Sequence, residues 1–239
     1  MSDRECEKGY VDFHSHMLFK VDDGSASVEQ SLEMIARSYE SGVRHIVLSP
    51  HFYATNNDPE KFFERRERRK NELLRHLPER SPKLYFGAEL HYYEGITHME
   101  NLERFRIGDS KCLLLEMPFE KWTDRILSDV VSISQRKNFR VILAHFERYS
   151  KCVSFEDMVA LKREGVRIQA NAEYFLNFFS KKKALHLVED GFIDVIGSDS
   201  HDMKRRPPNV GDAMSLISQR CGDHVAERIS GLSEALLKW

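Results

Sequence analysis

The sequence predicts an α/β fold in which seven parallel strands alternate with helices. Several predicted helices end at a glycine directly before the next strand, as at Gly42, Gly165 and Gly191, and such alternation is typical of parallel strands joined by crossover helices. The predicted strands at residues 112–115 and 141–144 are almost continuously apolar, which indicates a sheet buried on both faces. We predict a seven-stranded α/β barrel rather than an open doubly wound sheet, because the open sheet would need a glycine-rich phosphate turn after the first strand and the sequence has none there.

The apolar patterns define the elements along the chain. Strands are predicted at residues 10–14, 43–49, 84–89, 112–116, 140–145, 166–171 and 192–197. Ser27, with Gln30 three residues later, predicts the capped start of the first helix, and Ser154 caps another. Further helices are predicted at residues 59–80, 124–137, 181–190, 210–221 and 224–237. The helix at 59–80 is rich in charged residues, and we interpret it as a long exposed helix with a solvated face.

Length and composition indicate a single globular domain. The 239 residues suffice for one large domain with a full core, so we expect residues 1–239 to form one domain. A formal net charge of −2 gives no overall basic field, which argues against nucleic acid as a partner. The sequence has no apolar run long enough to cross a membrane and no signal-peptide pattern, so we expect a cytoplasmic protein without membrane insertion. The oligomeric state stays open.

The cysteines exclude two classes of site. The four cysteines are widely scattered and form no Cys-x-x-Cys pair, which argues against a zinc ribbon or a disulfide framework. A cysteine-based tyrosine phosphatase would need an arginine six residues after its nucleophile. The residues six positions after the four cysteines are Asp12, Pro118, Met158 and Glu227, so that chemistry is excluded.

Two histidines at the end of the first predicted strand are the first indication of a metal site. Residues two apart on a strand point to the same face, so His14 and His16 project together, with Ser15 on the other side. Paired imidazoles are typical metal ligands. A His-x-His pair also occurs by chance, and the interpretation gains weight only because similar residues end most of the other strands.

Candidate ligands recur at six of the seven predicted strand ends. Active sites of parallel barrels lie at the carboxyl ends of the strands, and only the sixth strand ends in a residue that is not a candidate, Asn171. Each candidate alone has a simpler interpretation as a loop histidine, a salt-bridge partner or a helix cap. Together they place four acids and five histidines at one rim, where so much buried charge needs compensation. The candidates are His14, His16, Asp23, His51, Glu89, Glu116, His145, Asp199 and His201.

This donor set predicts more than one metal ion. Nine residues are too many for one ion, which takes four to six ligands, so we expect two or three divalent transition-metal ions with a carboxylate such as Glu89 bridging them. Nitrogen and oxygen ligands suit manganese, iron or zinc. Ions about 3.5–4 Å apart share a water and lower its pKa, which supplies hydroxide near neutral pH.

Seven short segments carry a resemblance to a known family. They are His14-x-His16, Asp22-Asp23-Gly24, Ser49-Pro50-His51, Gly87-Ala88-Glu89, Glu116, Ala144-His145-Phe146-Glu147-Arg148-Tyr149 and Ser198-Asp199-Ser200-His201. As a set they resemble the polymerase-and-histidinol-phosphatase (PHP) superfamily, from about residue 11 to about residue 210. Within it, the chain is most similar to the bacterial manganese-dependent protein-tyrosine phosphatases of capsule and exopolysaccharide operons. The resemblance implies a distorted (β/α)7 barrel.

The resemblance also implies a role for each candidate. The first ion would be held by His14, His16, Glu89 and Asp199. The second would be held by Glu89, Glu116 and His145, and the third by Asp23, His51 and His201. Of the two adjacent acids, the family pattern selects Asp23 rather than Asp22. Arg148 and Arg206 would be the catalytic residues that bind phosphate, which agrees with the match between a guanidinium fork and phosphate oxygens.

The function implied is metal-dependent hydrolysis of phosphotyrosine in protein. A metal-bridged hydroxide would attack phosphorus in line, with the ions, most simply manganese, and the two arginines stabilising the developing charge. The implied partner is a bacterial tyrosine kinase of capsular or exopolysaccharide synthesis. We assign no general acid, because phenolate is a fairly good leaving group.

Three alternatives are weighed against this hypothesis. The nearest is a PHP enzyme for a small phosphate monoester such as histidinol phosphate, which a lidded pocket would favour and an open rim would not. An amidohydrolase also opens with His-x-His, but that family usually has a metal-bridging lysine where this chain has Glu116. A metal-bound scaffold that regulates a kinase would have no need of both arginines.

Overall fold

The computed structural model describes residues 9–136 and 138–238. Within them, nine short strands form two sheets in which every neighbouring pair is parallel. The sheet orders are β1-β2-β4 and β3-β5-β6-β7-β8-β9. The strands are β1 (Tyr10–Ser15), β2 (Val43–Leu48), β3 (His51–Phe52), β4 (Lys83–Phe86), β5 (Glu89–His91), β6 (Cys112–Glu116), β7 (Arg140–Leu143), β8 (Arg167–Asn171) and β9 (Val195–Gly197).

Helices connect most of the successive strands, whereas β2 leads directly to β3, β4 leads directly to β5, and 3-10 turns lie between β5 and β6. Ser27 and Ser154 cap the helices that follow them, as predicted, with their side chains accepting hydrogen bonds from the backbone N–H groups of Gln30 and Asp157. The helices are α1 (Val28–Glu40), α2 (Pro59–His76), α3 (Asp124–Ser134), α4 (Phe155–Arg163), α5 (Ala172–Leu176), α6 (Lys181–Glu189), α7 (Val210–Cys221) and α8 (Asp223–Leu237). Short 3-10 turns lie at Ile96–His98, Leu102–Phe105 and Phe146–Tyr149. No helix in the described ranges is both long and apolar enough to span a membrane.

The two sheets curl until their outermost strands meet. The N–H of Asp199, just after β9, donates to the carbonyl of His14 in β1 at 2.8 Å, and the N–H of His16 donates to the carbonyl of Ser200 at 2.9 Å. On the other side, the N–H of Gly87 extends the pairing of β2 with β4 by donating to the carbonyl of Leu48 at 2.9 Å, and the N–H of Glu89 donates to the carbonyl of Pro50 at 3.0 Å where β3 and β5 begin. The prediction of a parallel α/β fold whose last strand approaches its first is therefore confirmed.

Two predicted strands are each divided in the structure. The strand predicted at 43–49 ends at Leu48, and a separate short strand resumes at His51, because Pro50 between them has no N–H to give to a ladder. The strand predicted at 84–89 is interrupted at Gly87. A Cβ there would come within 3.2 Å of the Cα of Ile107, so the close approach of the neighbouring chain leaves little room for a side chain at this break.

Several predicted boundaries were wrong by a few residues. The strand predicted at 192–197 begins only at Val195, and the strand predicted at 140–145 ends at Leu143. The helix predicted at 124–137 ends at Ser134, and position 137 lies outside the described residues. The helix predicted at 59–80 ends at His76 before Pro78, a residue that disfavours helix in its predecessor.

The charge content of helix α2 suggested a wholly exposed helix, but part of this helix is buried. Phe62, Phe63 and Leu73 are buried, and the two phenylalanine rings pack around Phe105 with centroid distances of 6.1 and 4.7 Å. Ion pairs also form along the helix, between Arg69 and Glu72 and between Lys70 and Glu67, both at i,i+3 spacing. The helix therefore covers the sheet beside β4 and β5 with an apolar stripe.

Candidate metal centre

The nine predicted ligands gather in one cluster at the carboxyl ends of the strands. Seven of the nine fall into three groups, in each of which one nitrogen or oxygen atom per residue lies within 4.8 Å of the others, and His145 and Asp199 adjoin these groups through Glu89 and the paired histidines. These groups are His14-His16-Glu89, His51-Glu89-Glu116 and His16-Asp23-His51-His201. Glu89 belongs to two groups and lies at their junction, as a bridging carboxylate would.

The deepest part of the cluster is built on β1 and β5. The side chains of His14, His16 and Glu89 are completely buried. The Nε2 atoms of His14 and His16 lie 3.1 and 3.3 Å from Oε2 of Glu89, and 3.0 Å from each other. Asp199 joins them from the end of β9, with Oδ1 3.8 Å from His14 and 3.3 Å from His16. Four predicted ligands therefore converge on one buried point.

A second part of the cluster lies across Glu89. The Nε2 atom of His145 is 2.9 Å from Oε1 of Glu89 and 3.4 Å from Oε1 of Glu116. The Nδ1 atom of His51 is 2.8 Å from Oε2 of Glu89 and 4.0 Å from Glu116. The Glu89 carboxylate thus faces four imidazoles. Its buried negative charge can be balanced by a cation or by protonation of these histidines.

The third part opens to solvent. The Asp23 side chain is 73% exposed, and its Oδ1 lies 3.9 Å from Nε2 of His51 and 3.6 Å from Nε2 of His201. His201 is held by a contact of its Nδ1 with the backbone carbonyl of Asp199 at 2.9 Å. The opening of the cluster therefore lies on the side of Asp23.

The backbone turns sharply where β7 and β9 deliver their ligands. His145 and Asp199 both have positive φ, at 31° and 53°, in the left-handed region that non-glycine residues rarely adopt. The carboxylate of Asp12, a buried residue of β1, accepts hydrogen bonds from the N–H groups of Ser198 and His14 at 2.8 and 3.3 Å. The backbone directly before Asp199 is thus pinned to β1, and backbone strain of this kind is common at functional sites.

Asp22, and not only Asp23, contributes to the centre. Its Oδ2 lies 2.6 Å from Nδ1 of His16 and accepts a hydrogen bond from the N–H of His51 at 2.9 Å. Burial disfavours its charged form, but the attraction of His16 prevails and lowers the pKa of Asp22 to about 2. Asp22 is therefore an ionised partner that orients His16, and this leaves Nε2 of His16 free to face the cluster.

Gln169 orients two more histidines from the middle of β8. Its Oε1 accepts a hydrogen bond from the N–H of His145 at 2.8 Å and lies 3.1 Å from Nδ1 of His14. Its Nε2 donates to Asn171, whose amide donates to Oδ2 of Asp199 at 2.9 Å. Asn171, which ends the sixth predicted strand, therefore lies close to the candidate ligands.

The two predicted arginines reach the same carboxylate. Arg148 donates to Oδ2 of Asp199 at 2.5 Å, and Arg206 forms an ion pair with the same atom. Arg206 also places Nη1 2.9 Å from Nε2 of His201. The two side chains are 38% and 37% exposed, so they lie at the rim between the buried ligands and solvent.

The pKa shifts of Glu116 and His145 indicate how negative and positive charge balance within the cluster. Burial disfavours charge on Glu116, yet hydrogen bonds from His145 and His91 lower its pKa to about 2. Burial likewise opposes protonation of His145, but the two carboxylates it faces raise its pKa to about 9. The carboxylates therefore remain ionised, and the positive charge that they attract can equally be a metal ion.

Divalent cations fit this donor set. Among the described residues, three buried atoms of the cluster have no hydrogen bond of acceptable geometry: Nδ1 of His51, Oε2 of Glu89 and Nδ1 of His145. Two imidazole Nε2 atoms 3.0 Å apart can share only one proton. Of these three atoms, Nδ1 of His51 and Oε2 of Glu89 face the cluster. Buried nitrogen and oxygen atoms without a hydrogen bond are typical of ligand atoms that a cation would satisfy.

Sequence reasoning missed a second pair of polar residues beside Glu116. His91 places Nδ1 3.0 Å from Oε2 of Glu116, and the Tyr53 hydroxyl lies 3.5 Å from the same oxygen. Each of them follows a predicted ligand by two residues, His91 after Glu89 and Tyr53 after His51. The period of two that pairs His14 with His16 could therefore have found them.

Two solved structures share the fold. One is described as YwqE from Bacillus subtilis and CpsB from Streptococcus pneumoniae, unique metal-dependent tyrosine phosphatases; it matches with a TM-score of 0.81 at 22% identity, over 95% of this chain and 94% of that chain. The phosphotriesterase homology protein from Escherichia coli matches with a TM-score of 0.60 at 9% identity, over 96% and 98%. The chain is thus an α/β protein with the same curled parallel sheet as these two solved structures.

Sequence similarity identifies the family more closely. The chain belongs to the family described as capsular polysaccharide synthesis, CpsB/CapC, whose model matches residues 10–235. The tyrosine-protein phosphatase CpsB of Streptococcus agalactiae serotype III (strain NEM316) is 28% identical over 240 residues, which cover 93% of this chain and 94% of that protein. The resemblance to the capsule-operon phosphatases that the motifs predicted is therefore confirmed.

Proposed function

We propose that this protein is a metal-dependent phosphatase that hydrolyses phosphotyrosine in protein. The observation that carries the proposal is the convergence of nine nitrogen and oxygen donors and two arginines at one rim of the sheet. The relatives named above as tyrosine-protein phosphatases support the choice of substrate. The chain would act as one (β/α)7 barrel domain of the PHP type, in which β2 with β3, and β4 with β5, each count as one divided strand.

The three donor groups support the presence of three ions, and we divide the ligands among them as the family resemblance implies. His14, His16, Glu89 and Asp199 would hold the first ion, and Glu89, Glu116 and His145 the second. The third would be held by Asp23, His51 and His201. Manganese is the metal we propose, and the nitrogen and oxygen donors suit it, although they also accept iron or zinc. When bound, such ions act as Lewis acids and lower the pKa of a water to near neutral.

The protein residues prepare the site for the reaction. Asp22 and Gln169 fix the orientation of His16, His14 and His145, so the imidazoles need not reorganise during turnover. Arg148 and Arg206 would bind phosphate oxygens with their planar forks and stabilise the charge that grows in the transition state. Phenolate leaves without a dedicated acid, so no residue is assigned that role.

An exposed rim favours a protein substrate over a small one. Asp23 is 73% exposed, and both arginines are more than a third exposed, so the phosphate-binding side lies open. A phosphotyrosine on a protein surface could reach such a rim, whereas histidinol phosphate would gain from an enclosed pocket. We propose a bacterial tyrosine kinase as the natural partner.

A substrate panel tests the proposal. Purified protein loaded with manganese would be given a phosphotyrosine peptide, a phosphoserine peptide and histidinol phosphate under the same conditions. We expect the phosphotyrosine peptide to have the highest kcat/KM by at least about tenfold, which is 1.4 kcal/mol of discrimination. Preference for histidinol phosphate would favour the small-molecule enzyme, and no turnover of any of the three would favour a non-catalytic scaffold.

A further inference from the structure

A half-exposed phenylalanine lies against the wall of the candidate metal centre. The Phe119 ring is 56% exposed, although large apolar side chains are usually covered. It lies nearly parallel to the His145 imidazole, with an interplanar angle of 15° and a centroid distance of 6.2 Å. One face of this ring therefore borders the centre, and much of the ring surface is free to contact a ligand.

The loop that carries Phe119 is anchored on both sides. Before it, the N–H of Met117 donates to the Tyr149 hydroxyl at 2.9 Å. After it, the buried Trp122 donates through Nε1 to the carbonyl of Pro118 at 3.0 Å and through its N–H to the carbonyl of Cys152 at 2.8 Å. The exposure of Phe119 is thus a fixed feature of the loop.

Aromatic packing beneath the ring fixes its position further. Tyr149 is fully buried, and its ring lies 5.7 Å from Phe119, 5.1 Å from Trp122 and 5.6 Å from His145. Ring separations in this range are typical of favourable aromatic pairs. Phe119 is therefore held on an aromatic base next to a candidate ligand, and the rest of its surface is exposed.

We propose that Phe119 forms one wall of the subsite that receives the aromatic ring of phosphotyrosine. The inference rests on the proposed function and deepens it, because it assigns a residue that separates aryl from alkyl phosphates. In a phosphotyrosine the ring is joined to phosphorus through a single oxygen, so a phosphate at the centre brings the ring to its border. An alkyl phosphate such as phosphoserine has no ring to contact Phe119.

The expected effect falls on binding of aryl substrates. Phe119→Ala should raise KM for a phosphotyrosine peptide about tenfold with little change in kcat, because stacking contributes in the ground state as well as the transition state. Phe119→Tyr should keep wild-type values, and Phe119→Leu should recover only part of the loss. Metal content should be unchanged in all three variants, because a phenyl ring is no metal ligand.

Matched measurements separate this inference from general damage and from failure of the proposed function. Phe155→Ala serves as the control, because Phe155 is also half exposed but its ring packs against Phe192, with a centroid distance of 4.7 Å. This control variant should leave KM unchanged. Each variant would be assayed on a phosphotyrosine peptide and on an alkyl phosphate at saturating manganese. An aryl-specific rise in KM supports the inference. If the wild type hydrolyses phosphotyrosine, then equal loss on both substrates, or a wild-type KM in Phe119→Ala, overturns the role of Phe119. A wild type that is inactive on phosphotyrosine overturns both this inference and the proposed function.

Discussion

The inner and outer halves of the centre are held in different ways. In the inner half, His14 and His16 are fully buried, and each has its second ring nitrogen close to a fixed partner, Gln169 or Asp22. In the outer half, Asp23 and the two arginines are between a third and three quarters exposed. We propose that the preorganised ligands of the inner half dominate metal affinity, and that the outer half, where Asp23 is the exposed ligand, faces the substrate.

The largest effect should follow removal of the negative charge of Glu89, the residue that belongs to two of the three donor groups. Glu89→Gln keeps the shape of the side chain but removes the negative charge that faces four histidines. We expect loss of bound metal and a drop in kcat/KM greater than the roughly 10–100-fold that loss of an outer partner costs. Elemental analysis and phosphotyrosine kinetics would check this, with circular dichroism to show that the variant folds. Normal metal content in Glu89→Gln would contradict the bridging role.

The arginines should separate phosphate binding from metal binding. Arg148→Ala and Arg206→Ala should each lower kcat/KM by roughly 10²–10³, the usual cost of one preorganised charge-stabilising donor, with unchanged metal content. Arg206→Lys should recover only part of the rate, because ammonium cannot reproduce a bidentate fork. His145→Ala is the contrasting variant and should lose metal as well as rate. Near-normal rates in both arginine variants would remove the substrate-binding half of the account.

A smaller effect should follow loss of a partner that only orients a ligand. Asp22→Asn keeps the size of the side chain but weakens its contact with His16, so we expect metal affinity to fall roughly 10–100-fold. The affinity would be measured by titration of metal-free protein with Mn²⁺. Asp109→Asn, at an exposed position, is the matched control and should bind as the wild type does. Unchanged affinity in Asp22→Asn would mean that the inner half is not held as described.

The smallest effect is expected from thiol chemistry. Burial raises the pKa of Cys112 to about 11, so at pH 8 its thiol stays protonated and is a poor nucleophile. Iodoacetamide at pH 8 should therefore leave Cys112 unmodified and the phosphatase rate unchanged, whereas a chelator should abolish it. Mass spectrometry with activity assays would show both results. Loss of activity in step with alkylation of any cysteine would contradict a metal-based reaction.

Sequence reasoning located the strand ends better than the strand interiors. The candidate ligands follow apolar runs that any parallel sheet would bury, so the convergence of His14, Glu89 and Asp199 could be predicted without coordinates. The break at Pro50 could have been predicted, because proline has no N–H for a ladder, whereas the break at Gly87 depends on the close approach of Ile107 from a distant part of the chain. Both breaks lie next to a predicted ligand.

The orienting residues were harder to find than the ligands. Gln169 lies in the middle of β8, and nothing in its neighbours along the chain shows that it faces two histidines from other strands. Asp22 and Asp23 are adjacent acids, and only the fold separates the buried one from the exposed one. Phe119 was missed for the same reason, because its exposure depends on how Trp122 and Tyr149 anchor the loop.

The central claim is that more than one ion in this centre supports hydrolysis of phosphotyrosine. The most direct measurement is the turnover of a phosphotyrosine peptide by chelator-treated protein as Mn²⁺ is restored, with bound metal per chain determined at each step. The account predicts no turnover in metal-free protein and full turnover only when more than one ion is bound per chain. Full turnover with one ion or none would contradict it.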